Sequence, residues 1–190
     1  IAGNFEQSAR TALESLELVA APTAAAVEIL TACLLDSGKI LVCGNGTSAL
    51  DANAFAGMLT DRFELERPPL AAIALGGAPV CDPGGAAPGT PTLAKHLAAL
   101  GHPGDTLLMI CSDNDSPSLV ATIEAAHERE IRVVALTGAD GGKVGAGLAP
   151  EDVQICIPSD RLARIQEMHR LVLNCLCDGI DCLLLGVEDQ

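Results

Sequence analysis

The chain has no tryptophan, no tyrosine and only 3 phenylalanines, so a groove built on aromatic stacking has almost nothing to form from. Cationic side chains are scarce as well: 11 Lys and Arg stand against 25 Asp and Glu, a net charge of −14. Such a surface repels a phosphate backbone, which excludes direct nucleic-acid binding. It keeps a protein soluble and can attract a basic partner. No uninterrupted apolar run reaches the roughly 18 to 20 residues of a membrane span, and the first residues lack the basic stretch and apolar core of a signal peptide. The expectation is a cytoplasmic protein with no membrane association. The 8 cysteines include no C-x-x-C pair and no spacing suited to a zinc site or a disulfide framework. They are expected to be reduced thiols packed as small apolar residues.

At 190 residues and 49 % apolar composition, the chain fits one domain with a substantial core. Residues 1–37 read as two helices, 4–20 and 22–36, separated at Ala21-Pro22-Thr23, with Leu and Val recurring at three- and four-residue steps. Beyond them, β-type runs at 39–43, 71–75, 106–111, 131–136 and 153–157 alternate with helical stretches at 47–65, 91–100, 116–129 and 141–147. That alternation predicts an α/β fold, a parallel sheet covered by helices on both faces. A last helix is expected from Ser159, its N-cap, to Leu185, with Leu162, Ile165, His169, Leu173, Leu176 and Ile180 along one face. It and the leading helices exceed what one sheet face needs, which points to packing against further copies of the chain. The expected division is 1–37 for oligomerisation, 38–158 as the αβα core and 159–186 as the C-terminal helix.

The apolar run Ile40 to Cys43 ends in Gly44-Asn45-Gly46-Thr47-Ser48 and then enters a helix-favouring stretch. A strand stopping in small residues at a helix start leaves backbone N–H groups and a positive dipole end facing an anion. Gly44 and Gly46 allow close approach, while Thr47 and Ser48 add hydroxyl donors. Glycine-rich turns of this kind also occur where nothing binds. Residues 76–91, rich in Pro and Gly, exclude a regular helix or central strand and follow a strand's C-terminal end, where open α/β sheets bind ligands. They read as a lid or as the wall of a former pocket.

Four segments, Lys39 to Ser48, Arg62 to Pro68, Ala135 to Gly142 and Ala163 to His169, together resemble the sugar isomerase (SIS) family, in the branch that holds the phosphoheptose isomerases and the initiator-associating DiaA proteins. The resemblance implies a three-layer αβα sandwich on a five-stranded parallel sheet of flavodoxin-like type, two N-terminal helices, a long C-terminal helix and a homotetramer with ligand sites near subunit interfaces. It assigns sugar-phosphate contacts to Asn45, Gly46, Thr47, Ser48, Ser112, Ser116 and Gln166. The isomerases of the branch carry a His and a Glu four residues apart after the first loop, and a second His eight residues after the Gln of the last helix. Those positions here are Ala54, Met58 and Asn174, none of which can exchange a proton as a general acid or base. A zinc held at the same four positions in some relatives would keep only Gln166, so no metal or other cofactor is expected. His169 falls on the apolar face of its helix, a place for a packed histidine.

The second loop departs as well, with Cys111-Ser112-Asp113-Asn114-Asp115-Ser116 where the isomerases have Ser-Thr-Ser-Gly-Asn-Ser. A carboxylate about 5 Å from a phosphate charge costs about 3 kcal/mol at an effective dielectric near 20. The details of residues 44–48, Glu167-Met168-His169 and Asn174 to Asp178 look closer to the DiaA side. The leading expectation is therefore a non-catalytic, tetrameric adaptor for the replication initiator DnaA, gaining avidity from repeated surfaces, with Leu184 and Leu185 beside the acidic tail as partner-binding residues. The alternatives are a phosphoheptose isomerase acting on sedoheptulose 7-phosphate and a sugar-phosphate sensor.

Overall fold

The computed structural model describes residues 1–76 and 92–186. The chain opens with α1 (Ala2–Leu35), one helix of 34 residues with Pro22 inside it, where the sequence predicts two. An interior proline removes an amide donor and crowds the preceding turn, at a cost of about 3 kcal/mol. Val19 before it and Ala26, Val27 and Leu30 after it are buried in one apolar layer. Burial of such side chains contributes about 1.5–3 kcal/mol each, enough to hold both halves in line. By length and composition α1 could cross a membrane; here its buried stripe packs on the sheet, and Arg10, Glu14, Glu17 and Glu28 lie exposed.

After α1 the elements are β1 (Ile40–Gly44), α2 (Ser48–Thr60), β2 (Ala72–Ala74), α3 (Thr92–Leu100), β3 (Thr106–Ile110), α4 (Pro117–His127), β4 (Arg132–Gly138), α5 (Gly142–Ala146), β5 (Val153–Ile157) and α6 (Leu162–Leu185). The five strands form one parallel sheet in the order β2-β1-β3-β4-β5. Strand side chains alternate between two apolar layers. Ile40, Val42, Leu108, Ile110, Val134 and Leu136 pack under α1, α2 and α6, while Leu41, Cys43, Leu107, Met109, Val133 and Ala135 pack under α3, α4 and α5. Burial on both faces is why these strands read as continuous apolar runs. The αβα sandwich agrees with the sequence expectation, and each strand falls within a residue or two of its predicted run.

Chain order reverses between β1 and β3, because the connection from β1 leads to one side and the remaining strands lie on the other. The crevice outside the carboxyl ends of those two strands is where ligands bind in open α/β sheets. Buried carboxylates brace the opposite edge. Asp105 accepts from the Lys39 amide at 2.9 Å and pairs with the Lys39 ammonium at 2.6 Å. Asp152 takes the Val133 and Ala149 amides, each at 2.8 Å, and His127 at 2.7 Å.

α6 begins at Leu162 with Arg161 as N-cap, two residues later than predicted, and the Ser159 hydroxyl accepts the Arg161 amide at 3.2 Å. Its start is tied to the start of α1. Arg164 donates to the Asn4 carbonyl at 2.7 Å and pairs with Glu167 at 2.7 Å, and Glu167 accepts from the Ser8 hydroxyl at 2.7 Å. Further along, α1 and α6 approach so closely that a Cβ at Gly179 would stand 2.6 Å from Val27 Cγ2.

Candidate functional site at the carboxyl edge of the sheet

The first loop leaves β1 at Gly44, where a Cβ would lie 2.6 Å from the Ser48 carbonyl oxygen, so only glycine permits the tight return into α2. Gly46 follows at φ +54°. The loop's amides are partly consumed: the N–H groups of Ser48, Ala49 and Leu50 donate to the carbonyls of Asn45, Gly46 and Thr47 at 3.0, 3.3 and 3.0 Å. The expected cradle of free amides is thus narrower than the motif suggests, and hydroxyls become the more prominent donors. Thr47, the N-cap of α2, does not cap with its side chain. Its Oγ1 instead receives Gln166 Nε2 from α6 at 2.5 Å.

Ser48 is buried, and its Oγ meets Ser112 Oγ from the second loop at 3.2 Å. The topology therefore joins Thr47, Ser48, Ser112 and Gln166. Asn45 is half-buried beside them, and Ser116 is buried as the N-cap of α4. The second loop is held by a residue that motif reading passed over. Asn114 Nδ2 donates to the Gly138 carbonyl at 2.6 Å, while its Oδ1 accepts the Gly138 amide at 3.4 Å. Asp113 and Asp115 are exposed and serve the backbone, Asp113 accepting the Asp115 amide at 3.3 Å and Asp115 the Lys143 amide at 3.4 Å.

α2 and α6 start side by side and run in the same direction, which successive contacts along their seam record. After Thr47 and Gln166 comes Asp51 Oδ1 with Arg170 Nη1 at 3.4 Å. At the far end, Arg67 Nε donates to Asp181 Oδ1 at 2.6 Å, and the same guanidinium donates to the Met58 and Leu59 carbonyls at 2.8 Å each. Ala54, Met58 and Asn174 occupy the stretch between these rungs; all three are half-buried, and Met58 packs against the apolar layer. A methyl, a thioether and a neutral amide do not make the donor set of a zinc site. Among the described residues, no three His, Cys, Asp or Glu converge on a metal position.

His169 is buried, and its Nε2 donates to the Thr137 carbonyl at 3.0 Å. Burial lowers its pKa to about 4, against the opposing pull of that carbonyl. It is a neutral packing residue, as its place on the apolar face predicts. Leu184 packs against the core and Leu185 is exposed; both lie about 27 Å along α6 from Gln166, at 1.5 Å per residue. Most of the segment 76–91 lies outside the described residues. Sequence reasoning missed Asp51 and Arg170. Asp51 shares the Thr47 stripe of α2 at a four-residue step, a legible signal, whereas its partner 119 positions away leaves none.

Hydroxyl-bearing loops thus meet at the switch point of a three-layer sandwich, and the SIS domain model matches residues 4–138. The chain belongs to the SIS domain family. It is 57 % identical to the phosphoheptose isomerase of Aromatoleum aromaticum, covering 100 % of this chain and 97 % of that protein. Identity to the phosphoheptose isomerase of Dechloromonas aromatica is 50 %, over 99 % and 97 %. Among solved structures, a phosphoheptose isomerase from Francisella tularensis superposes with TM-score 0.89 at 40 % identity, over 95 % of this chain and 96 % of that one. GmhA from Neisseria gonorrhoeae gives 0.86 at 40 %, over 95 % and 97 %. These full-length similarities overturn the expectation of a non-catalytic DnaA adaptor. That expectation let a few positions, Ala54, Met58, Asn174 and the Asp113 to Asp115 loop, outweigh the rest of the chain.

Proposed function

We propose that the chain is a phosphoheptose isomerase, interconverting sedoheptulose 7-phosphate and an aldoheptose phosphate in the cytoplasm. The observation that carries this reading is end-to-end similarity, at up to 57 % identity, to proteins of that name. The carboxyl-edge geometry supports it. Ser48 and Ser112 from two loops, with Ser116, Asn45, Gly46 and Thr47 around them, receive the phosphate, and Gln166 faces the sugar hydroxyls. Nearby Asp113 and Asp115 oppose the phosphate charge, so affinity is modest, and Ser48→Ala lowers it about tenfold, the loss of roughly one hydrogen bond to a charged group.

The working unit is a homo-oligomer, a tetramer in the family pattern. Phe5, Leu13 and Leu16 of α1 and Leu171 of α6 stay exposed on the single chain, an apolar surface that a second copy covers. A second reading, a sugar-phosphate sensor, is favoured by Ala54, Met58 and Asn174, which lack the proton-transfer groups of the isomerases. The deciding experiment follows sedoheptulose 7-phosphate by NMR with purified protein. Formation of the aldose supports the isomerase, whereas calorimetric binding with no conversion supports the sensor.

A further inference from the structure

After β3 ends at Ile110, one more ladder bond follows, from the Cys111 amide to the Leu136 carbonyl at 2.8 Å. The backbone then turns toward α4, and the side chain of Asn114 takes over the pairing with Gly138, the last residue of β4. A carboxamide carries the same donor and acceptor as a peptide group. Its Nδ2 donates to the Gly138 carbonyl at 2.6 Å, and its Oδ1 accepts the Gly138 amide at 3.4 Å. The Asn114 carbonyl also accepts the Val144 amide at 2.9 Å, and a Cβ at Gly142, where φ is +49°, would stand 2.8 Å from Asn114 Cβ. The second loop is thus gripped at its middle, by β4 and by the turn that follows β4. Ser112 lies two residues before the grip and Ser116 two residues after it, and Ser112 is the residue that meets Ser48 across the switch point.

Gly138 has a second neighbour. A Cβ there would collide with Ile165 of α6, the residue next to Gln166. One glycine therefore receives the second loop on its backbone groups and α6 on its bare Cα, which sets the loop hydroxyls in register with Gln166. Asp113 and Asp115, exposed on either side of Asn114, oppose an anion by charge. The loop then gains little from an anion that would order it, and its shape has to be set beforehand. We infer that Asn114 is a positioning residue of this site: acting through Gly138 and not by contact with the ligand, it preorganises Ser112 and Ser116 for the phosphate and keeps them in register with Gln166. The assignment rests on the sugar-phosphate site proposed above.

The test is calorimetric affinity for inorganic phosphate and for sedoheptulose 7-phosphate, with kcat and KM from NMR and the urea midpoint measured on each variant. Asn114→Ala is expected to weaken both ligands by about tenfold and to raise KM by a similar factor, with kcat within about threefold of the parent. Asn114→Ser, whose hydroxyl can serve one Gly138 group but not both, is expected to fall between Asn114→Ala and the parent. Lys39→Met, which breaks the pair with Asp105 at the opposite edge, is the control for lost stability: its urea midpoint is expected to fall while both affinities stay within about twofold. Asn114→Ala with the parent's phosphate affinity, or with a kcat loss at unchanged KM, overturns the assignment and leaves the isomerase reading intact. So does a Lys39→Met variant that loses affinity as Asn114→Ala does, since the effect then follows stability alone. A parent that binds both ligands without turnover overturns the isomerase reading, and the affinity series alone then decides the role of Asn114. A parent that binds neither ligand overturns both.

Discussion

Removing the guanidinium of Arg67 should cost the fold a large share of its stability, and the structure indicates how much. Arg67 and Asp181 are 1 % and 5 % exposed in their side chains and 2.6 Å apart. The guanidinium also satisfies the Met58 and Leu59 carbonyls at the end of α2. Arg67→Met strands a buried carboxylate, which costs about 3–5 kcal/mol, and leaves two carbonyls to find other donors at about 1 kcal/mol each. Water reaching the frayed helix end offsets some of this, so about 4 kcal/mol is expected, against a total of about 5–15 kcal/mol for a domain. With a urea slope of about 2 kcal/mol per molar, the midpoint falls by about 2 M. Arg67→Met combined with Asp181→Leu removes the stranded charge and should recover at least about 2 kcal/mol. Far-UV circular dichroism is the suitable probe, because the chain has neither tryptophan nor tyrosine, and protein concentration must be held constant for an oligomer. A single variant within about 0.5 M of the parent midpoint, or a double variant no better than the single, would refute the reasoning.

Two further outcomes follow from buried titrating groups. His169 falls from 6.5 to about 4 on folding, so between those values the unfolded chain holds a proton that the native state excludes. Its contribution to stability is full above about pH 6.5 and is lost as pH falls toward 4, a total of about 3 kcal/mol. His169→Gln, whose amide can still donate to the Thr137 carbonyl, should flatten that part of the stability curve; equal slopes for parent and variant between pH 7 and 4 would contradict the account. Burial raises the Cys43, Cys111 and Cys177 thiols to about 12. Maleimide labelling at pH 8, read by peptide mass, should therefore spare these three in native protein and reach them in urea. Labelling of Cys43 as fast as exposed Cys175 would sink this reading.

The sandwich was legible because β1, β3 and β4 are apolar on both faces and β-type runs alternate with helix-period stretches along the chain, a pattern that admits few alternatives. The loop at Gly44 to Ser48 was legible for a steric reason, since the return into α2 leaves no room for a Cβ at Gly44. The continuity of α1 was not, because Pro22 is a breaker by local propensity and only packing on the sheet and α6 overrides it. The amide budget of the first loop was equally hidden, as the bonds from Ser48, Ala49 and Leu50 depend on how tightly the turn closes. Pairings across the seam join residues more than a hundred positions apart, and no local pattern announces them. The adaptor expectation failed for a different reason: substitutions at a few chemically telling positions, Ala54, Met58, Asn174 and Asp113, were weighed without the similarity carried by the remaining residues.

The rungs between α2 and α6 separate persistence from chemistry. Thr47 with Gln166 and Asp51 with Arg170 fasten one end, and Arg67 with Asp181 fastens the other, so the stretch holding Ala54, Met58 and Asn174 is clamped by polar contacts on both sides. Substitution at those three half-buried positions is expected to leave the polar contacts at both ends of the seam in place. The seam thus separates where the two helices are fastened from where its inner side chains can vary.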